Sequence, residues 1–169
     1  INYHLSGFES LKARNSLFKG YVKISSANGL KGDKFSFPKV TVTGTSNLIM
    51  ASVLAKGSHV INNISIEPEV IDLINFLNKS GAKIKFLKKR SIQVIGVKEL
   101  QTGNHSIIGD RIEAFSYLCA GAISKGQVLV KKIHPKFLNT EIKYLRKLGC
   151  DIKIYEDSIF LKSKNKIKS

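Results

Sequence analysis

The stretch Lys39 to Gly57, KVTVTGTSNLIMASVLAKG, gathers residue types that handle phosphate. Val40 and Val42 alternate with Thr41 and Thr43 as in a strand, Gly44 offers a turn, and the apolar run that follows predicts a buried helix. A strand leading through glycine into a helix N-terminus presents free backbone N–H groups and the positive end of the helix dipole to an anion. Lys39 adds an ammonium and Thr41 a hydroxyl donor. The lysine precedes the glycine, so the stretch is not a GxxxxGK[ST] loop. An ordinary strand, turn and buried helix would use the same residues.

Other residues suited to chemistry have competing structural uses. Glu67 and Glu69 open the segment EPEVIDLINFLNKSG, where a helix dipole favours carboxylates. In GDRIEA, Asp110 and Glu113 have capping-box spacing, the aspartate accepting from the third amide of the helix. Arg111 projects from that first turn and is the better functional candidate. His4 reads as a solvent-facing or helix-capping residue. Cys119 falls in an apolar helical run and Cys150 opens a strand, with no CxxC and no histidine at ligand spacing, which predicts two buried, reduced thiols and no metal.

The elements that must position these residues recur along the chain. SVLAKGSHVINNI, from Ser52, returns as GAISKGQVLVKKI, from Gly121, each a helix ending at glycine and then a strand. Each copy continues through an amphipathic helix with Pro68 or Pro135 in its first turn and Gly81 or Gly149 past its end. Two strands follow in each, AKIKFL with SIQVIGV and CDIKIYE with SIFLKS. FESLKARNSLFKGYVKIS reads as the end of an earlier copy, and Ile1, Leu5, Phe8 and Leu11 share a helix face in a chain that starts inside an element. The strand-like LFKGYVKIS and FSFPKVTV lie on either side of a turn-rich segment. NLIMASVLA and AFSYLCAGAI are apolar or small on all sides, which predicts helices surrounded by protein. One central helix per unit with strands outside gives an inside-out α/β architecture, neither a Rossmann nor a TIM topology.

Composition narrows the function classes. The formal net charge is +16 over 169 residues, yet only Arg14, Arg90, Arg111 and Arg146 are arginines. The lysines are spread over every element instead of forming one stripe interleaved with aromatics, which argues for a solvated surface over nucleic-acid binding. No apolar run is long enough to span a membrane and no secretory signal is visible, so a cytoplasmic address is expected.

Three segments, KVTVTGTSNLIMASVLAKG, IEPEVIDLINFLNKSGAKI and GDRIEAFSYLCAGAISKG, resemble in order and spacing the UDP-N-acetylglucosamine 1-carboxyvinyltransferase family, from Ile1 to about Asp157. The resemblance implies an α/β fold of repeated βαβαββ units in inside-out barrels, incomplete here. It implies transfer of enolpyruvyl from phosphoenolpyruvate to the 3'-hydroxyl of UDP-N-acetylglucosamine in peptidoglycan precursor synthesis, without metal or other cofactor. Lys39, Val40, Thr41, Val42 and Thr43 match the family's nucleotide-sugar segment, with Thr43 where the family often has glycine. His4, Glu67, Glu69, Asp110 and Arg111 match cleft or crossing positions, and Gly109 replaces a proline, which would loosen the crossing. Residues 1–108 would belong to one domain and 109–169 to a second. The reactive cysteine loop and the phosphoenolpyruvate-holding residues would precede Ile1 and a catalytic aspartate would follow Ser169, so no catalytic residue is assigned and the chain alone is expected to be inactive. A 5-enolpyruvylshikimate 3-phosphate synthase-like enzyme, a degenerate non-enzymatic remnant and a basic nucleic-acid-binding module are the alternatives.

Overall fold

The computed structural model describes residues 1–163 and divides the chain into two compact units, Ile1–Ser106 and Ile107–Ser169. The first begins with helix α1 (Asn2–Ser10) and strands β1 (Arg14–Phe18) and β2 (Tyr21–Ser25). LFKGYVKIS is therefore not one strand. Lys19 and Gly20 both take positive φ, 47° and 80°, and close a two-residue hairpin that pairs Phe18 with Tyr21. A complete β-α-β-α-β-β succession follows: β3 (Lys34–Ser36), α2 (Val42–Ser52), β4 (Ser58–Asn62), α3 (Pro68–Lys79), β5 (Lys83–Lys88) and β6 (Ser91–Ile95). Its sheet runs β3-β4-β6-β5, with β3 parallel to β4 and the other pairs antiparallel.

The second unit repeats this plan from its helix onward. It contains α4 (Arg111–Ile123), β7 (Gln127–Lys131), a 3₁₀ turn (Pro135–Leu138), α5 (Asn139–Lys147), β8 (Asp151–Ile154) and β9 (Ser158–Lys162). The sheet order β7-β9-β8 reproduces β4-β6-β5. Pro68 stands in the first turn of α3, while Pro135 starts the 3₁₀ turn ahead of α5. Gly81 and Gly149 adopt φ of 96° and 97°, the left-handed conformation that ends a helix at little steric cost.

Each unit has its own apolar core. Ile49, Ile61, Ile64, Val70, Ile92 and Val94 are central in the first, and Leu118, Ile133, Ile142, Ile159 and Leu161 in the second. The pattern of α3, with Val70, Ile74 and Leu77 inward, matches the sequence reading. That of α2 and α4 does not: Met50, and on α4 Ile112, Tyr117 and Ile123, are exposed. A helix packed on one sheet buries only the stripe facing it, and neither sheet closes around its helix. Cys119 on this open α4 is consequently only half-buried, whereas Cys150 is buried; both are free thiols.

Candidate functional site

The stretch expected to run as a strand through Thr43 instead starts α2 at Val42, with Thr41 as its N-cap. The Thr41 hydroxyl accepts the Gly44 N–H at 3.3 Å, and its carbonyl accepts the Thr45 N–H at 3.2 Å and the Thr45 hydroxyl at 2.6 Å. These bonds outweigh the weak β-preference of an alternating Val-Thr run. Gly44 lies within the first helical turn and makes no bend. A Cβ there would press on the Thr41 side chain and on Phe37, so the small residue lets the cap and the core meet.

Hydroxyl links then join this helix start to that of α3. Buried Thr45 Oγ1 accepts the Ser65 N–H at 3.0 Å, and Ser65 Oγ accepts the Glu67 N–H at 3.3 Å. Glu67 is the N-cap residue of α3 and Glu69 lies in its first turn. On the other side, His4 of α1 sets its ring against α2, Nδ1 2.9 Å from Asn47 Nδ2 and Nε2 3.3 Å from Thr43 Oγ1. The Asn47 amide donates to Nδ1, so Nε2 carries the proton and donates to the threonine. His4 is thus neither a cap nor simply solvent-facing.

The structure brings together Thr41, Val42, Thr43, His4 and the start of α3. Lys39 and Val40 lie exposed immediately ahead of the cap. Thr41 satisfies only the third amide of the helix, so the Val42 and Thr43 N–H groups, at the positive end of the dipole, remain suited to an anion. Thr45, Asn47 and Ser65 were not singled out from sequence. The spacing that could have found them is four residues: Thr45 follows the cap by one turn, and Asn47 follows Thr43.

Asp110 and Arg111 belong to the second unit. Asp110 caps α4 as its spacing predicts, Oδ1 accepting from the Ile112 N–H at 2.8 Å and the Glu113 N–H at 3.1 Å. It lines an open groove of about 460 Å³ between the start of α4 and β7. Arg111 is half-buried at the first position of α4. Gly109 is not a loosening residue: a Cβ there would overlap the Lys132 carbonyl oxygen, so the chain is wedged against the end of β7. Burial raises the pKa of the Cys119 thiol, and burial followed by the nearby Cys119 raises that of Cys150, which keeps both protonated and poorly nucleophilic at neutral pH.

A family model described as EPSP synthase (3-phosphoshikimate 1-carboxyvinyltransferase) matches residues 1–169. The chain belongs to this carboxyvinyltransferase family. It is 39% identical over 169 residues to the UDP-N-acetylglucosamine 1-carboxyvinyltransferase of Pelagibacter ubique, covering all of this chain and 40% of that protein. It is 43% identical over 159 residues to the protein of the same name from Endomicrobium trichonymphae, covering 94% of this chain and 38% of the relative. The chain therefore spans about two fifths of the length of these relatives. Among solved structures, the enolpyruvyl transferase NikO from Streptomyces tendae superposes with a TM-score of 0.81 at 16% identity, over 96% of this chain and 42% of that one. EPSP synthase from Acinetobacter baumannii does so with 0.67 at 18% identity, over 95% and 39%. The fold is that of the enolpyruvyl transferase superfamily, with its inside-out barrels incomplete here. Among the described residues no helix is long and apolar enough to cross a membrane, and no group of His, Cys, Asp and Glu could hold a metal ion.

Proposed function

We propose that this chain is the central portion of a UDP-N-acetylglucosamine 1-carboxyvinyltransferase, with residues 39–43 forming one wall of the nucleotide-sugar site. The observation that carries the reading is the start of α2, where the Thr41 cap leaves the Val42 and Thr43 amides unused, with the exposed Lys39 two residues ahead of the cap. In this role the Val42 and Thr43 N–H groups donate to the diphosphate of UDP-N-acetylglucosamine, and the Lys39 ammonium offsets its charge. The hydroxyl links to Ser65 and Glu67 hold the wall in place, while Glu67, Glu69, Asp110 and Arg111 stand at the cleft and crossing. Residues 1–108 form part of one domain and 109–169 part of the next. Neither thiol is activated as a nucleophile. Residues 1–169 therefore bind nucleotide sugar in this reading but turn over none, and they engage phosphoenolpyruvate only together with further segments of the enzyme.

Calorimetry with purified chain tests the reading. UDP-N-acetylglucosamine and UDP should bind, and Lys39→Ala should weaken both by roughly tenfold, as expected for loss of one charge-assisted contact. Binding of shikimate 3-phosphate with no response to UDP-N-acetylglucosamine would move the assignment to the other branch of the family. Phosphate release from the two substrates at an ordinary enzymatic rate would contradict the inactivity of the isolated chain.

A further inference from the structure

The turn-rich stretch between β2 and β3 folds back beside the end of α1 and walls an open groove of about 550 Å³ within the first unit. Backbone bonds set its cations side by side. The Lys31 N–H donates to the Leu11 carbonyl at 2.9 Å, which seats Lys31 next to Lys12, and the β1–β2 ladder pairs Arg14 with Ser25. Lys12, Arg14 and Lys31 all line the groove, together with Ser25, Ser26 and Asn28. Lys56 stands close by: it bridges to Lys31 as a parallel neighbour, and its Cε lies 4.0 Å from where a Cβ on Gly29 would be.

Like charges gathered on one groove repel one another and focus a positive field there. No carboxylate offsets them. The lining contains no acidic residue, and among the described residues none of Lys12, Arg14, Lys31 and Lys56 forms an ion pair. The two acids nearest in sequence are engaged elsewhere. Glu9 Oε1 accepts from Asn15 Nδ2 at 3.1 Å, and Asn15 alternates to the face of the hairpin opposite Arg14. Asp33 lines a separate small cavity with Leu11, Leu48 and His59.

The groove also supplies neutral donors. Among the described residues, the hydroxyls of Ser25 and Ser26 and the carboxamide of Asn28 meet no protein partner, and the Ala27 and Asn28 amides donate to no protein acceptor. None of the lining residues is aromatic, so nothing there would stack a base. Cations, hydroxyls and free amides without acid or aromatic match the oxygens of a phosphoryl group.

We infer that this groove is a second anion site, which takes a phosphoryl group, free or as a phosphate ester, through Lys12, Arg14 and Lys31 with the Ala27 and Asn28 amides. It shares no residue with the wall at 39–43 and stands whether or not that wall binds a nucleotide sugar.

¹H–¹⁵N correlation spectra of the chain test it, in separate titrations with inorganic phosphate, glycerol 3-phosphate, an oligothymidylate and sodium chloride. The Ala27 and Asn28 amides should shift to saturation with phosphate at constant ionic strength, and Arg14→Gln and Lys31→Gln should each raise the apparent Kd by roughly tenfold. Both side chains are exposed, so the variants should keep the wild-type spectrum elsewhere. Tighter binding of glycerol 3-phosphate than of phosphate assigns the groove to an ester, and the reverse assigns it to the free anion. Shifts that chloride reproduces, a response unmoved by both variants, or saturation by the oligothymidylate but by neither phosphate would overturn the site.

Discussion

The starts of α2 and α4 occupy equivalent places in the repeat, yet they treat their free amides in opposite ways. Thr41 is a neutral cap that satisfies the Gly44 N–H alone. Asp110 brings a carboxylate that accepts two amides, from Ile112 and Glu113. A helix start already neutralised by its own carboxylate has little left for a ligand, whereas one capped by a hydroxyl still offers donors and dipole. In the proposed role of residues 39–43, the difference teaches that a single side chain sets whether such a helix start serves as a structural joint or as an anion-binding wall.

Exchanging that side chain should have the largest effect. Thr41→Asp should leave the first unit folded, because aspartate caps at least as well as threonine. It should nevertheless lower UDP-N-acetylglucosamine affinity by roughly 10- to 100-fold, since its charge opposes the diphosphate and fills donors worth about 1.5–3 kcal/mol each. Thr41→Asn, a neutral cap, serves as the control in the same calorimetric titration and should bind nearly as the wild type does.

Next in size is Thr45→Val. It removes the buried hydroxyl that donates to the Thr41 carbonyl and accepts the Ser65 N–H, and should cost about 1–3 kcal/mol in denaturant unfolding of the first unit. Asp110→Ala, the matching change in the second unit, should cost about 1 kcal/mol, seen as faster amide exchange in the first turn of α4, with nucleotide-sugar affinity unchanged. The smallest effect concerns the open side of α4. At pH 8 iodoacetamide should modify Cys119 faster than Cys150, and both more slowly than free cysteine, because a raised pKa lowers the thiolate fraction. The rates should climb as pH rises toward those raised values.

Much of this architecture was legible in the sequence. The repeat, Pro68, Gly81, Gly149 and the Asp110 cap each act through local backbone chemistry that residue type alone reveals. The start of α2 was not, because a Val-Thr alternation fits a strand as well as a first helical turn, and the hydroxyl bonds of Thr41 and Thr45 decide between them. The exposure of Met50 and Ile112 was hidden for another reason: an apolar helix surface does not disclose whether protein covers it. Gly109 looked permissive until the Lys132 carbonyl was seen against it. The contact between His105 and Asp72, 33 residues apart, follows from tertiary packing that no local pattern encodes.

The contrast between the two helix starts is tested most directly by ¹H–¹⁵N correlation spectra of the chain titrated with UDP-N-acetylglucosamine. The account predicts that the amides of Val42 and Thr43 shift with saturation, that His4 and Asn47 follow, and that Ile112 and Glu113 stay in place. Shifts centred on Ile112 and Glu113, or saturating binding that leaves Val42 and Thr43 unmoved, would contradict it.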